Sequence, residues 1–161
     1  CILMVNLADS YFPSAFGVST LYSPSLPPTS PPEDCLLPTK LHKKLLEFQT
    51  STIVTTNYDH LIEQAAEENG EFIRVISQNI DMPYRKSRRE LIKMHGDFEH
   101  DNFVLKEDDY LNYSRNFKLI ETYIKSLIGS KVVLFIGYSL NDPDVKHIIS
   151  WVKDILKEKL S

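Results

Sequence analysis

Two side chains in this sequence could carry polar and proton-transfer chemistry, the carboxamide of Asn57 and the imidazole of His95. Asn57 follows a β-branched run, Thr52–Thr56, and His95 follows an apolar run, Leu91–Met94. A carboxamide can hold a hydroxyl group or a water molecule, and an imidazole that titrates near neutrality can take a proton from it. Each signal alone is weak, because an asparagine after a strand is about as often a helix cap and a His-Gly pair is usually a turn.

A third motif, residues 135–144, follows the most apolar run of the chain, Lys131–Ile136. Gly137 stands directly after this run, where a glycine lets the backbone approach a ligand closely. Pro143 then opens a predicted helix, capped by Asn141 or Asp142, whose first N–H groups suit an anionic ligand. The three motifs therefore occupy the ends of three predicted strands.

Short apolar strands alternate with amphipathic helices from Pro38 onward. This alternation predicts an α/β, Rossmann-like three-layer sandwich with a mainly parallel sheet. Ligands of such sheets bind beyond the carboxyl ends of the strands, so the three motifs are expected to face one pocket. The predicted strands are Thr52–Thr56, Phe72–Ile76, Leu91–Met94 and Lys131–Ile136, and the predicted helices are Thr39–Gln49, Tyr58–Glu68, Phe117–Ile128 and Pro143–Lys159.

The first 37 residues differ from the rest, since they contain most of the nine prolines. Proline fixes φ and removes a backbone donor, so residues 1–37 are predicted to be an irregular segment. Within it, the apolar run Ile2–Val5 is a candidate strand. The domain itself is predicted to span residues 38–161.

Composition indicates one globular domain and excludes several classes of protein. The chain has 161 residues, a formal charge of -4 and two cysteines, which cannot form a disulfide framework or a four-cysteine zinc site. We therefore expect a reducing, cytoplasmic location and no bound metal. The small net charge does not indicate a nucleic-acid partner, and no apolar run approaches the roughly 18 residues of a membrane span.

Taken together, the motifs at residues 55–59 (Thr-Thr-Asn-Tyr-Asp), 93–97 (Lys-Met-His-Gly-Asp) and 135–143 (Phe-Ile-Gly-Tyr-Ser-Leu-Asn-Asp-Pro) resemble the Sir2-like family. The branch that they resemble is typified by bacterial NAD-consuming defence proteins, and the match runs from about Pro38 to Ile149. The resemblance implies an NAD+ hydrolase that cleaves the nicotinamide–ribose bond and gives nicotinamide and ADP-ribose. It also implies the effector part of a larger or homo-oligomeric anti-phage defence protein, with NAD as substrate.

The same resemblance implies roles for individual residues. Asn57 would contact the nicotinamide ribose and position the attacking water, and His95 would be the general base. The remaining positions would line the NAD pocket: Thr55, Thr56, Asp59, Gly96, Gly137, Tyr138, Ser139 and Asn141.

The sequence departs from the family pattern in two places. Its five glycines are too dispersed to form the Gly-Ala-Gly phosphate loop, so we expect the domain to be incomplete at its N-terminus. No cysteine lies between Gly96 and Gly137, where the protein deacylases insert a zinc module. NAD+ hydrolysis is therefore preferred to NAD-dependent protein deacylation, and a non-catalytic module that binds NAD or ADP-ribose remains an alternative.

Three further features have simpler interpretations. Asn79 rivals Asn57, but Met82-Pro83 follows it closely and disfavours the helix that the motif requires. Metal-ligand residue types cluster over positions 95–101, yet a solvated turn is the better interpretation. The basic run Arg85–Arg89 is interpreted as a solvated loop.

Overall fold

The computed structural model describes residues 1–7, 37–83, 87–97, 99–100, 102, 104 and 107–158. The proline-rich part of the N-terminal segment, residues 8–36, lies outside the described residues, as do residues 85 and 86 of the basic run and residue 101 of the cluster at 95–101. The expectations for these residues stay predictions.

Five parallel strands form a single sheet in the order β3-β4-β2-β1-β5. The mainly parallel α/β fold predicted from the alternation is thereby confirmed. The strands are β1 (Ile2–Val5), β2 (Thr52–Thr55), β3 (Arg74–Ile76), β4 (Glu90–Lys93) and β5 (Val133–Ile136). The helices are α1 (Lys40–Glu47), α2 (Leu61–Glu68), α3 (Glu107–Leu111), α4 (Tyr113–Asn116), α5 (Lys118–Ile128) and α6 (Pro143–Glu158), and Asn79–Asp81 forms a 3₁₀ turn.

The three inner strands, β1, β2 and β4, are buried on both faces of the sheet, to which successive side chains point alternately. On one face Met4 and Ile92 pack against α4, α5 and α6 through residues such as Tyr113, Ile124 and Trp151. On the other face a second cluster joins the sheet to α1 and α2, and its members include Leu3, Val5, Leu45, Leu46, Ile53, Ile62, Ala65, Ala66 and Leu91. The predicted three-layer sandwich is therefore present.

Strand β1 occupies the middle of the sheet, between β2 and β5. The prediction that Ile2–Val5 forms a strand is confirmed, and each of its four side chains is at most 1% exposed. This strand is part of the core, although it belongs to the segment that the sequence separates from the domain. The boundary placed after residue 37 remains a prediction, since most of the segment is not described.

The structure differs from the predicted elements in two main ways. Helix α2 begins at Leu61 rather than Tyr58, because residues 57–60 form a turn. Between Gly96 and Gly137 the sequence predicted one helix after an acidic loop, whereas the structure has α3 and α4 as well as α5. Both extra helices are too short, at five and four residues, to show a hydrophobic period.

In the part of the chain that the structure describes, every helix is too short or too polar to traverse a lipid bilayer.

Candidate functional site

Asn57 and His95 lie at the same edge of the sheet. Strands β2 and β4 pair with Thr55 opposite Lys93, and each candidate residue stands two positions beyond its paired residue. The next strands contribute Leu7, two positions after Val5, and Tyr138, two positions after Ile136. The carboxyl ends of four neighbouring strands thus bring Asn57, His95, Leu7 and Tyr138 into one row.

The carboxamide of Asn57 is fixed by its neighbours. Its Oδ1 accepts hydrogen bonds from the backbone N–H of Leu7 at 2.9 Å and from the hydroxyl of Thr55 at 3.3 Å. Its Nδ2 donates to Oδ2 of Asp59 at 3.1 Å. Both oxygen lone pairs are therefore occupied, and one amide hydrogen has no partner among the described residues.

Asp59 and Thr55 support this arrangement from the two sides of Asn57. The other carboxylate oxygen of Asp59 accepts the backbone N–H of Leu61 at 3.0 Å, which caps the start of α2. The hydroxyl of Thr55 also accepts the backbone N–H of Asn57 at 3.1 Å. Asp59 and Thr55 therefore orient Asn57. Their positions in the sequence alone did not indicate this role.

His95 is enclosed by side chains from three elements. Its Nε2 lies 3.0 Å from Oδ1 of Asp144 in the first turn of α6. Its ring packs edge-on against Tyr110 of α3, with centroids 5.5 Å apart, and at 6.2 Å from the ring of Tyr58. The 3.0 Å separation is within ion-pair distance, but the ring nitrogen is not aligned for a hydrogen bond. His95 is only 4% exposed and Asn57 only 6%.

The two tyrosines beside His95 are held in their neutral form. Burial raises the pKa of Tyr58 to about 12, and the charges of Asp144 and Asp109 act in the same direction. Burial also raises the pKa of Tyr110, helped by the charge of Asp144 and by the 3.2 Å hydrogen bond that Tyr110 donates to it. Both phenols are therefore hydrogen-bond donors at neutral pH.

The turn after β5 approaches the end of β1 closely. Gly137 has φ of 78°, and a Cβ atom there would overlap the backbone carbonyl of Asn6. The hydroxyl of Tyr138 lies 3.3 Å from both the carbonyl oxygen of Val5 and the hydroxyl of Thr56. The packing of β5 against the end of β1 therefore requires glycine at position 137. This reason differs from the close approach of a ligand that the sequence suggests.

The other predicted pocket residues lie farther from the carboxamide of Asn57 along the chain, after β4 and β5. Ser139 and Asn141 are exposed, and the Ser139 hydroxyl accepts the backbone N–H of Asn141 at 3.3 Å. Gly96 is buried with φ of 79°, where a Cβ would overlap Asn102. The structure therefore brings Thr55, Thr56 and Asp59 close to Asn57 and places Gly96 beside His95. Tyr138, after β5, reaches this group through Thr56.

A family profile described as a SIR2-like domain matches residues 51–160, which contain all three motifs. This chain belongs to the SIR2-like domain family. It is 40% identical over 122 residues to "Defense-associated sirtuin 2" of Bacillus subtilis and 40% identical over 121 residues to "NAD(+) hydrolase ThsA" of Bacillus cereus. A protein of the latter name from Cytobacillus dafuensis is 36% identical over 118 residues.

These alignments cover 73%, 71% and 71% of the chain, but only 12%, 25% and 24% of the three relatives. The SIR2-like domain described here therefore corresponds to a minor part of each relative.

A buried lysine next to His95 organises the site of this SIR2-like domain. The side chain of Lys93 is 0% exposed, and its ammonium lies 2.7 Å from Oε1 of Glu63 in α2. It also donates to the carbonyl oxygen of Asp59 at 2.7 Å. Lys93 thus ties β4 to the turn that carries Asn57.

A cavity of about 190 Å³ lies on the far side of β4, lined by residues that include Asp97, His100 and Ser77. Ligand atoms of Asp97, Glu99 and His100 lie within 4.8 Å of one another. Burial acts to raise the pKa of Asp97, but hydrogen bonds with His100 and Ser77 outweigh it and leave that pKa below its usual value. Nδ1 of His100 lies 2.6 Å from Oδ1 of Asp97, so these two groups also interact directly with each other.

A larger cavity, about 850 Å³, lies at the opposite edge of the sheet, before β2 and β4. Its wall includes Arg89, whose guanidinium donates to the carbonyl oxygens of Leu46, Phe48 and Thr50. Arg89 therefore caps the end of α1, and the chemistry-bearing residues lie elsewhere. Neither cavity is lined by Asn57 or His95.

The rival asparagine has a structural role. Oδ1 of Asn79 accepts the backbone N–H of Leu119 at 3.0 Å, and its Nδ2 donates to the carbonyl oxygen of Asn116 at 2.7 Å. Asn79 therefore caps the start of α5.

Three residues of this site, Asp144, Lys93 and Tyr110, were not among those predicted from the sequence. Asp144 follows Pro143 in the first turn of a predicted helix, and Lys93 stands in the Lys-Met-His-Gly-Asp motif. Only Lys93 could have been found from the sequence. It lies on a predicted buried strand two positions before His95, and a buried charge requires a partner of opposite charge or a hydrogen-bond acceptor.

Proposed function

We propose that this domain hydrolyses NAD+ at the nicotinamide–ribose bond, with Asn57 and His95 carrying the chemistry. Water adds to the ribose carbon, nicotinamide leaves, and ADP-ribose is the second product. The observation that supports this most directly is the position of the two residues just beyond the paired carboxyl ends of β2 and β4. Two relatives bearing the name NAD(+) hydrolase, at 40% and 36% identity, support the same reaction.

Asn57 would act as a hydrogen-bond donor in this reaction. Its oxygen is occupied by Leu7 and Thr55, so the remaining amide hydrogen is the group that could hold a ribose hydroxyl or the water. A fixed donor costs little reorganisation as positive charge develops on the sugar. His95 would accept the proton of the water as the new bond forms.

The remaining pocket residues are proposed to line the NAD pocket along this row. Thr55, Thr56 and Asp59 would shape the nicotinamide side, and Thr55 and Asp59 would act through Asn57. Gly137, Tyr138, Ser139 and Asn141 would lie toward the ribose and the phosphates, and Gly96 would line the pocket beside His95.

We further propose that the domain is the effector part of a larger or oligomeric defence protein, which acts in the cytoplasm without structural zinc. The much greater length of the relatives and the name "Defense-associated sirtuin 2" support the first part. Edge strand β5 offers a surface for additional protein, because Leu134 and Phe135 are 42% and 39% exposed. The scarcity of cysteines supports the reducing location and the absence of zinc.

The assignment is tested by nicotinamide release from NAD+, measured by chromatography with the purified full chain. Asn57→Ala and His95→Ala are expected to lower the rate at least about 100-fold. Asn79→Ala is the matched control, since it removes a helix cap worth about 1 kcal/mol and should leave the rate unchanged. Thermal unfolding of each variant separates lost chemistry from lost structure, and full activity in the first two variants would refute the proposal.

A non-catalytic NAD-binding or ADP-ribose-binding module is the second candidate, because the five glycines of the chain are too dispersed to form the phosphate loop of the family. Such a module would be stabilised against heat by NAD+ or ADP-ribose and would release no nicotinamide. The same chromatographic measurement therefore separates the two functions.

A further inference from the structure

The carboxylate of Asp144 lies within ion-pair distance of the ring of His95. The two side chains are 9% and 5% exposed, and Oδ1 of Asp144 lies 3.0 Å from Nε2 of His95. Asp144 comes from α6, far from His95 in the sequence, so the contact exists only in the folded domain.

Asp144 is itself held in place. Tyr110 donates its hydroxyl to Oδ1 at 3.2 Å, and the backbone N–H of Asp144 donates to Oδ1 of Asp142 at 2.9 Å. The first turn of the 16-residue helix α6 favours a negative charge, because its free N–H groups point toward this end. One hydrogen bond to the carboxylate, one to the backbone N–H and the position at the helix start thus hold Asp144 beside the imidazole.

The other groups that face His95 do not replace this charge. Tyr58 and Tyr110 are neutral phenols, and His147 of α6 has its pKa held below the usual value, chiefly by burial. The charge of Asp109 acts on Tyr58 and that of Asp142 acts on Tyr110, the two tyrosines beside the ring.

We propose that Asp144 is a positioning residue for NAD+ hydrolysis, which orients His95 through Nε2 and leaves Nδ1 to accept the proton of water. The inference rests on the proposed function of His95. When Nδ1 takes the proton, the ring becomes an imidazolium, and the adjacent carboxylate stabilises the new positive charge. Catalytic hydrogen bonds commonly align only in the reacting complex, which accounts for a close approach without hydrogen-bond geometry.

Asp144→Asn in the full chain separates this role from a structural one. Asparagine has the shape of aspartate and still accepts the Tyr110 hydroxyl, so a structural role would survive the change. The positioning role predicts that kcat for nicotinamide release falls at least about tenfold while KM changes less than about twofold. Asp154→Asn, the same change at an exposed position of α6, is the matched control and should leave kcat unchanged.

Two further measurements test the proposal if the Asp144→Asn variant does not fold or if the protein does not release nicotinamide. If Asp144→Asn does not fold, Tyr110→Phe removes one support of the carboxylate and should lower kcat about threefold to tenfold. The ¹⁵N resonances of the His95 ring should also shift in Asp144→Asn, whether or not the protein releases nicotinamide.

Unchanged kcat in a folded Asp144→Asn variant, beside an inactive His95→Ala, would overturn the positioning role and leave the proposed function intact. If the unmodified protein releases no nicotinamide, the proposed function fails. The ring resonances then decide whether Asp144 orients His95, and identical spectra would refute it.

Discussion

Three imidazoles of this domain sit in different surroundings. His42 accepts the backbone N–H of Thr39 at 3.1 Å, which caps α1, and burial lowers its pKa. His95 faces the carboxylate of Asp144. His147 packs against aromatic rings, with centroids 5.7 Å from Tyr113 and 4.7 Å from Trp151. One residue type thus serves as a cap, as a candidate base and as a core aromatic.

The His147 ring makes stability depend on pH. Burial lowers its pKa from 6.5 against the opposing charges of Glu121 and Asp144. As the pH falls below about 6.5, the unfolded chain therefore binds a proton that the folded chain does not. The contribution of a neutral His147 to stability is complete above this pH and is lost as the pH falls further.

His147→Phe is expected to reduce the loss of stability between pH 7.5 and pH 5, since phenylalanine keeps the ring contacts and takes up no proton. Urea unfolding at the two pH values measures the effect. Glu67→Gln, an exposed change, should keep the dependence of the unmodified protein. An equal loss of stability in the phenylalanine variant would show that His147 does not contribute.

At the scale of elements, contacts at the ends of the strands determine the conformation of the turns that follow them. Residues 57–60 form a turn before α2 because Asp59 accepts the N–H groups of both Asn57 and Leu61. At the other side of the row, Gly137 gives β5 a left-handed residue against the end of β1. The geometry of these strand ends therefore depends on contacts between residues of different elements.

Gly137→Ala tests this close approach. The left-handed backbone alone costs alanine about 1–2 kcal/mol, and overlap with the Asn6 carbonyl should raise the loss of unfolding free energy to about 3 kcal/mol or more. Gly70→Ala is a matched control, because Gly70 also has positive φ, 68°, but nothing lies within 4 Å of a Cβ there. Denaturant unfolding of both variants should show the larger loss at position 137, and equal losses would contradict the close approach.

At the scale of the whole molecule, β1 joins the two halves of the sheet. It pairs with β2 on one side and with β5 on the other, although more than 40 residues separate it from either in sequence. Its side chains enter both core clusters. Residues 2–5 are therefore an integral part of the sheet.

Leu3→Ala measures the contribution of this strand. Leu3 is 0% exposed, and its truncation is expected to lower the free energy of unfolding by about 2–5 kcal/mol. Leu37→Ala makes the same change at a side chain of which 62% is exposed, and its effect should stay within about 0.5 kcal/mol. A comparably small effect at Leu3 in chemical denaturation would place β1 outside the cooperative unit.

Sequence reasoning predicted the parallel α/β fold because burial on both faces makes strands short and apolar, while surface helices keep a period of 3.6 residues. It also selected Asn57 over Asn79, and Asn79 proves to be the cap of α5. It missed α3 and α4, since one turn of helix carries no measurable period. It gave no reason for Lys93, whose partner Glu63 lies 30 positions away in another element.

The sequence by itself determined which residues end the strands, and hence that Asn57, His95 and Gly137 belong to one edge. Only the tertiary structure decided that β1 lies at the centre, that Asp144 faces His95 and that Lys93 is buried against Glu63. Strand ends are local features, because they depend on the period and the turn residues within a few positions. Strand order and side-chain contacts depend on which distant segments bury their apolar surfaces against each other. Local sequence patterns do not indicate which segments these are.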